Sequence, residues 1–212
     1  MISIVDYGMG NLRSVEKSFT SQGIEVRVTE DPGDIEDSSG LVVPGVGAFG
    51  DCVRNLRERS MSGPIKDFIE SGRPFLGICL GFQVLFESSE EAPGEEGLGI
   101  LKGKVVRFRV EEKKLKVPHM GWNRVSAPEQ TRILEGIPQQ SWFYFVHSYH
   151  VVSDEPGADV LLSDYGGEFE AGVISGNLSA FQFHPEKSSD YGLMILRNFS
   201  KLCLENRSFS LP

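Results

Sequence analysis

The strongest constraint on this chain is the alternation of strand-like and helix-like segments over its first ~90 residues. Ile2 to Tyr7 is short and β-branched, and Asn11 to Gln22 places Leu12, Val15 and Phe19 at helical spacing before Gly23. Glu25–Thr29 and Leu41–Val43 read as strands, helical repeats follow around Phe49–Leu56 and Ile65–Ile69, and Pro74–Ile78 is a buried strand leading into a helix over Leu80–Glu87. A βαβα rhythm of this kind predicts a parallel sheet with helices on both faces. Past Glu96 the rhythm changes to strands with short turns: Lys104–Val110, Asn123–Ser126, Phe143–Val152, Asp159–Ser163, Phe169–Ser175 and Leu178–Phe183. A last helix spans Tyr191–Leu204, and the acidic run Glu87–Glu96 reads as a solvated loop. The expected architecture is a three-layer α/β domain over residues 1–212, with a mixed, mainly parallel sheet and an antiparallel insertion.

Net charge is −9, which argues against nucleic acid or an anionic membrane as partner. The longest mostly apolar stretch, Pro74–Phe86, contains Gln83 and is too short to span a bilayer. The first basic residue is Arg13, so no charged n-region of a signal peptide is expected. Three widely spaced cysteines, Cys52, Cys79 and Cys203, do not make a disulfide framework. A cytoplasmic protein is the expectation.

Two glycine patterns stand out. Gly45-Val46-Gly47-Ala48-Phe49-Gly50 matches the dinucleotide fingerprint, but the acidic residue at the right distance, Glu70, falls in a helical segment. The pattern reads better as a loop whose backbone approaches something closely. Gly77-Ile78-Cys79-Leu80-Gly81 is a G-x-S-x-G elbow with cysteine in place of serine. Such an elbow exposes a nucleophile on a sharp strand-to-helix turn. The helix N-terminus beneath the sulfur favours thiolate, and the Leu80 N–H points at a developing oxyanion.

A nucleophile needs a base, and the base needs an orienting acid. His184 lies in Phe183-His184-Pro185-Glu186, and Glu186 is close enough to fix its tautomer. His147 and His150 are expected on opposite strand faces, and no metal-ligand spacing is present.

Gly-Ile-Cys-Leu-Gly-Phe-Gln at 77–83 followed far downstream by Phe-His-Pro-Glu at 183–186 resembles the class I (triad) glutamine amidotransferases, which have a flavodoxin-like fold. The segments 6–14, 43–50, 118–123, 144–149 and 183–188 resemble one branch, whose glutaminase subunits pass ammonia to a (β/α)₈ cyclase of histidine biosynthesis. Phe82 stands where that family often has methionine, and Cys52 at a usually small position.

The resemblance implies hydrolysis of L-glutamine by Cys79, His184 and Glu186 through a glutamyl thioester, without cofactor or metal. It implies an oxyanion hole from Leu80, Val46 and Gly47, and glutamine binding by Gly45, Gln83, Ser148 and Tyr149. It also implies a 1:1 heterodimer with a cyclase that makes imidazole glycerol phosphate and an aminoimidazole carboxamide ribotide. Asn11, His119, Met120, Trp122, Asn123 and Lys187 are the expected partner-facing residues, with Trp122 also readable as a core aromatic. Two other readings stay open: the same chemistry with another acceptor, such as chorismate or a pyridoxal phosphate precursor, or a non-catalytic module on the same fold.

Overall fold

The computed structural model describes residues 1–128 and 131–209. In chain order the first elements are β1 (Ile2–Val5), α1 (Leu12–Thr20), β2 (Val26–Thr29), α2 (Pro32–Glu36), β3 (Gly40–Gly45), α3 (Phe49–Glu58), α4 (Ser62–Glu70), β4 (Phe75–Cys79) and α5 (Leu80–Gln83). They are followed by β5 (Ser88–Ser89), β6 (Gly103–Arg107), β7 (His119–Val125), β8 (Ser141–His147), β9 (Tyr149–Ser153), β10 (Asp159–Asp164), β11 (Glu168–Ser175), β12 (Leu178–Phe181) and α6 (Ser189–Phe209).

Among the described residues ten strands form one mixed sheet, in which β2-β1-β3-β4-β12 is a contiguous parallel half. Strands β11, β9 and β6 continue it antiparallel, β5 closes the edge and β10 pairs with β11. Strands β7 and β8 form a separate antiparallel ribbon.

Every residue of β1, β3, β4 and β12 is buried, as strands covered on both faces require. Leu41, Val43 and Phe75 pack with Val53 and Leu56 of α3 and Phe68 of α4 on one face. Ile4, Val42 and Leu76 pack with Phe19 of α1 and Phe199 of α6 on the other. Helix α2 has a signal that periodicity misses: Asp31 accepts from the Gly33 N–H at 2.9 Å and Pro32 opens the first turn.

Three expectations change. The helix after Cys79 is one turn, not eight residues. Leu98 N–H takes the carbonyl of Val84 at 2.7 Å and Ile100 N–H that of Leu85 at 2.8 Å, acceptors a longer helix would need. The run Phe143–Val152 is two strands in two sheets, separated at Ser148. The acidic stretch is pinned rather than simply solvated. Glu91 accepts from the Phe49 N–H at 2.7 Å, capping α3, and Glu95 pairs with Arg54 at 2.8 Å and Arg57 at 3.4 Å.

Among the described residues no helix is long and apolar enough to cross a membrane.

Candidate active site

Strand β4 delivers Cys79 in a backbone conformation that L residues rarely adopt, with φ 55° and ψ −106°. Strain of this kind costs on the order of 1–3 kcal/mol and persists only where its surroundings enforce it. Here the enforcement is close packing. A Cβ on Gly77 would lie 2.8 Å from the Gly81 carbonyl oxygen, and one on Gly81 would overlap the Val43 carbonyl. The turn can therefore sit directly on β3.

The loop after β3 crosses the same end of the sheet, since Gly45 is in register with Cys79. Gly45 is buried, and a Cβ there would come within 2.6 Å of the Tyr7 hydroxyl and 2.7 Å of Leu80 Cβ. The Tyr7 hydroxyl donates to the Pro44 carbonyl at 2.7 Å, tethering the loop from below. Gly47 has φ 104°, open in practice only to glycine. Glu70, the acid at the fingerprint's distance, is the last residue of helix α4 and not at the end of a strand, where a dinucleotide ribose would need it.

Strand β12 runs parallel to β4 and carries the chain to His184. The His184 N–H donates to the Tyr144 carbonyl at 3.0 Å, fixing the backbone where Pro185 turns it. Its Nδ1 lies 2.8 Å from Glu186 Oε1, and both side chains are almost fully buried. Its Nε2 is buried with no hydrogen-bond partner in the structure. Burial pushes the imidazole down, but the Cys79 and Glu186 charges outweigh it and hold His184 at about 10. A protonated imidazole beside sulfur is a ready proton donor.

Cys79 and His184 share a cavity of about 290 Å³ with Val46, Gly47, Leu80, Gln83, Ser148 and Tyr149. Gly45, expected to touch substrate, lies outside this lining, because it is packed between Tyr7 and Leu80. Gln83 is buried, and its Nε2 donates to the Tyr149 carbonyl at 3.0 Å and to Gln182 Oε1 at 2.9 Å. Gln182 was not a sequence candidate, yet its Nε2 is 3.7 Å from Cys79 Sγ. Burial pushes the Cys52 thiol up to about 12, leaving it a protonated packing group.

The expected partner-facing residues divide by strand alternation. Met120 (62% exposed) and Trp122 (49%) project from the outer face of the ribbon, which excludes a core role for Trp122. His119 is buried on the inner face, stacked on Tyr165 at 4.1 Å between centroids, so it cannot present a contact surface. Asn123 turns inward too, donating to the Asp164 carbonyl at 2.7 Å. Asn11 precedes α1, and Lys187 stands 5.9 Å from the Tyr144 ring centroid beside the outer face. Trp142, unremarked in the sequence, is 48% exposed on that face, with Arg124 over its ring at 5.0 Å. His147 and His150 belong to different strands, and both rings lie against Phe108. Among the described residues no group of His, Cys, Asp or Glu could hold a metal ion.

A strained cysteine at a strand-to-helix elbow, facing a His–Glu pair across a small cavity on a mainly parallel sheet, defines a class. The chain belongs to the class I glutamine amidotransferases, whose family description matches residues 3–202. Two crystal structures share the fold: one described as a glutamine amidotransferase (TM-score 0.72, 23% identity, 96% of this chain and 99% of that one) and one of a putative GMP synthase protein from Thermoplasma acidophilum (TM-score 0.70, 22% identity, 98% and 96%).

Within the class, the chain belongs with the HisH subunits of imidazole glycerol phosphate synthase. It is 51% identical to that of Rhodopirellula baltica over 97% of this chain and 99% of the relative. It is 48% identical to that of Pyrococcus furiosus, over 95% and 98%.

Proposed function

We propose that this enzyme hydrolyses L-glutamine at Cys79 and delivers the ammonia to a cyclase partner in histidine biosynthesis. The observation that carries the chemistry is the His184–Glu186 pair, with Nδ1 held at 2.8 Å and Nε2 left free in the cavity that holds Cys79. The Cys79 thiolate attacks the side-chain carbonyl carbon of glutamine, and the oxygen gains the charge. The Leu80 N–H, with a peptide N–H of the Val46–Gly47 turn, receives that charge. Collapse breaks the C–N bond, and protonated His184 gives its Nε2 proton to the leaving nitrogen, releasing ammonia. Neutral His184 then takes a proton from water, which adds to the thioester. Collapse of that adduct expels the Cys79 thiolate and releases glutamate, leaving His184 protonated again. Glu186 keeps Nδ1 protonated throughout.

Gln83, Ser148 and Tyr149 line the glutamine site in this reading. A chloroketone analogue of glutamine is expected to form one adduct, on Cys79 and not on Cys52. Peptide mass spectrometry reads this directly, and an unmodified Cys79 sinks the proposal.

Ammonia is mostly protonated near neutral pH and then non-nucleophilic, so direct transfer to a bound partner preserves it. Relatives at about half identity are named as synthase subunits, which favours the cyclase over other acceptors. The partner surface we infer is the outer face of the β7–β8 ribbon, joined by Asn11 and Lys187, in a 1:1 complex. Met120, Trp122, Tyr144 and Trp142 project there, and Val146 on the same face also lines the active-site cavity. Exposed tryptophans are typical anchors of such surfaces. Trp122→Ala is expected to weaken cyclase binding by about 30-fold, or ~2 kcal/mol, without moving the unfolding temperature. Titration calorimetry against the cyclase and a thermal melt check both halves.

A further inference from the structure

Gln182 follows β12 directly, is fully buried, and sets its Nε2 3.7 Å from Cys79 Sγ. That is within reach of an N–H···S hydrogen bond. Which end of its amide faces the sulfur is decided further away.

The Tyr149 carbonyl can only accept, and it is approached by His147 Nδ1 at 2.7 Å and Gln83 Nε2 at 3.0 Å. This fixes the NH₂ end of Gln83, whose second hydrogen goes to Gln182 Oε1 at 2.9 Å. A reversed Gln182 would bring two NH₂ groups face to face. Its oxygen is therefore committed to Gln83 and its NH₂ to the sulfur.

The chain extends backward with the same logic. His147 must carry its hydrogen on Nδ1, so its Nε2 accepts from His119 Nδ1 at 3.0 Å, and His119 Nε2 accepts from Asn123 Nδ2 at 3.3 Å. Burial pushes His147 to about 3 and His119 to about 4, so both stay neutral and the donor directions do not reverse near neutral pH.

We propose that Gln182 holds the Cys79 sulfur, oriented for that task by Gln83 and the Tyr149 carbonyl. The proposal rests on the reading of Cys79 as the nucleophile. The sulfur carries charge before attack and again when the thioester is cleaved, and at each stage it needs a donor that does not leave. His184 has one Nε2 proton, which it must aim at the leaving nitrogen and later recover from water, and its Nε2 makes no hydrogen bond to the sulfur in the structure. The one-turn α5 has little dipole to offer. An amide N–H donates at every stage and is never consumed.

The test is alkylation of Cys79 by iodoacetamide in the full chain, followed by peptide mass spectrometry across about pH 5 to 9. Gln182→Met keeps the length and removes the donor. It is expected to slow alkylation near neutral pH by about tenfold, with the half-maximal pH rising by about one unit and the high-pH plateau kept. Gln83→Met leaves Gln182 in place but unoriented, and is expected to shift the profile the same way by less. A purely structural role would lower the unfolding temperature without moving the half-maximal pH. An unmoved profile in both variants overturns the proposal. If Gln182→Met does not fold, an unmoved profile in Gln83→Met overturns it alone. A wild-type Cys79 that reacts no faster than buried Cys52 instead overturns the nucleophile reading, so the two failures are distinguishable.

Discussion

Cys79→Ala is expected to lower glutamine-dependent turnover by on the order of 10⁶-fold, the scale seen when a nucleophile is removed from a triad that acts as a unit. The alanine fits, because Cβ remains and only the sulfur leaves. The elbow keeps its shape, since Gly77 and Gly81 hold it. The cyclase supplied with ammonia directly should keep its rate, because its chemistry needs the nitrogen and not the sulfur. Glutamate release and ammonia-fed turnover, measured on the same complex, read the two halves. Glutamate release within tenfold of wild type would falsify the assignment of the nucleophile.

The same variant has a signature in His184. Burial is the largest influence on that ring and acts downward, while the Cys79 charge, the Glu186 hydrogen bond and the Glu186 charge act upward, to about 10. Removing the sulfur takes away part of the upward side and none of the burial. The ring should therefore titrate below its wild-type value in Cys79→Ala, as followed by NMR of the imidazole protons. An unchanged titration would mean that His184 and Cys79 are not electrostatically coupled.

What the sequence disclosed and what it hid follow one physical division. The elbow and His184-Pro185-Glu186 are local constellations, so spacing alone exposes them: a turn needs glycine beside the nucleophile, and an acid two positions from a histidine can reach it. The parallel half of the sheet was readable because its strands are buried on both faces and bounded by turn residues. Gln182 was hidden because its role comes from register. Phe181 pairs with Ile78 across β12 and β4, which sets the next residues, Gln182 and Cys79, side by side. The resemblance grouped His119 with Met120 and Trp122 as partner-facing, but neighbours in a strand point to opposite faces, and the burial alternation along β7 turns His119 inward. The short α5 was hidden as Gln182 was, since residues 97–101 take the carbonyls that its helical pattern would have used.

Gly81→Ala is expected to destabilise the chain by about 3 kcal/mol or more and to remove glutaminase activity in whatever still folds. Helix propensity alone predicts the opposite sign, because alanine is favoured over glycine inside a helix by about 1 kcal/mol. Packing decides the outcome. The added carbon would overlap the Val43 carbonyl oxygen and lie 2.8 Å from its carbon, and both atoms are backbone at the centre of the sheet. A side chain could rotate away, whereas β3 is held on both edges, by β1 and by β4. Relief must come from lifting α5 off the sheet. That moves the Leu80 N–H, the Gln83 amide and the Cys79 backbone together. The strain at Cys79 is then no longer enforced, and the sulfur loses its position relative to His184. Urea unfolding measures the first effect, and the rate of Cys79 alkylation in the folded fraction measures the second. A variant as stable and as reactive as wild type would show that the β3–α5 contact is loose enough to admit a methyl group, and that close packing does not hold the elbow.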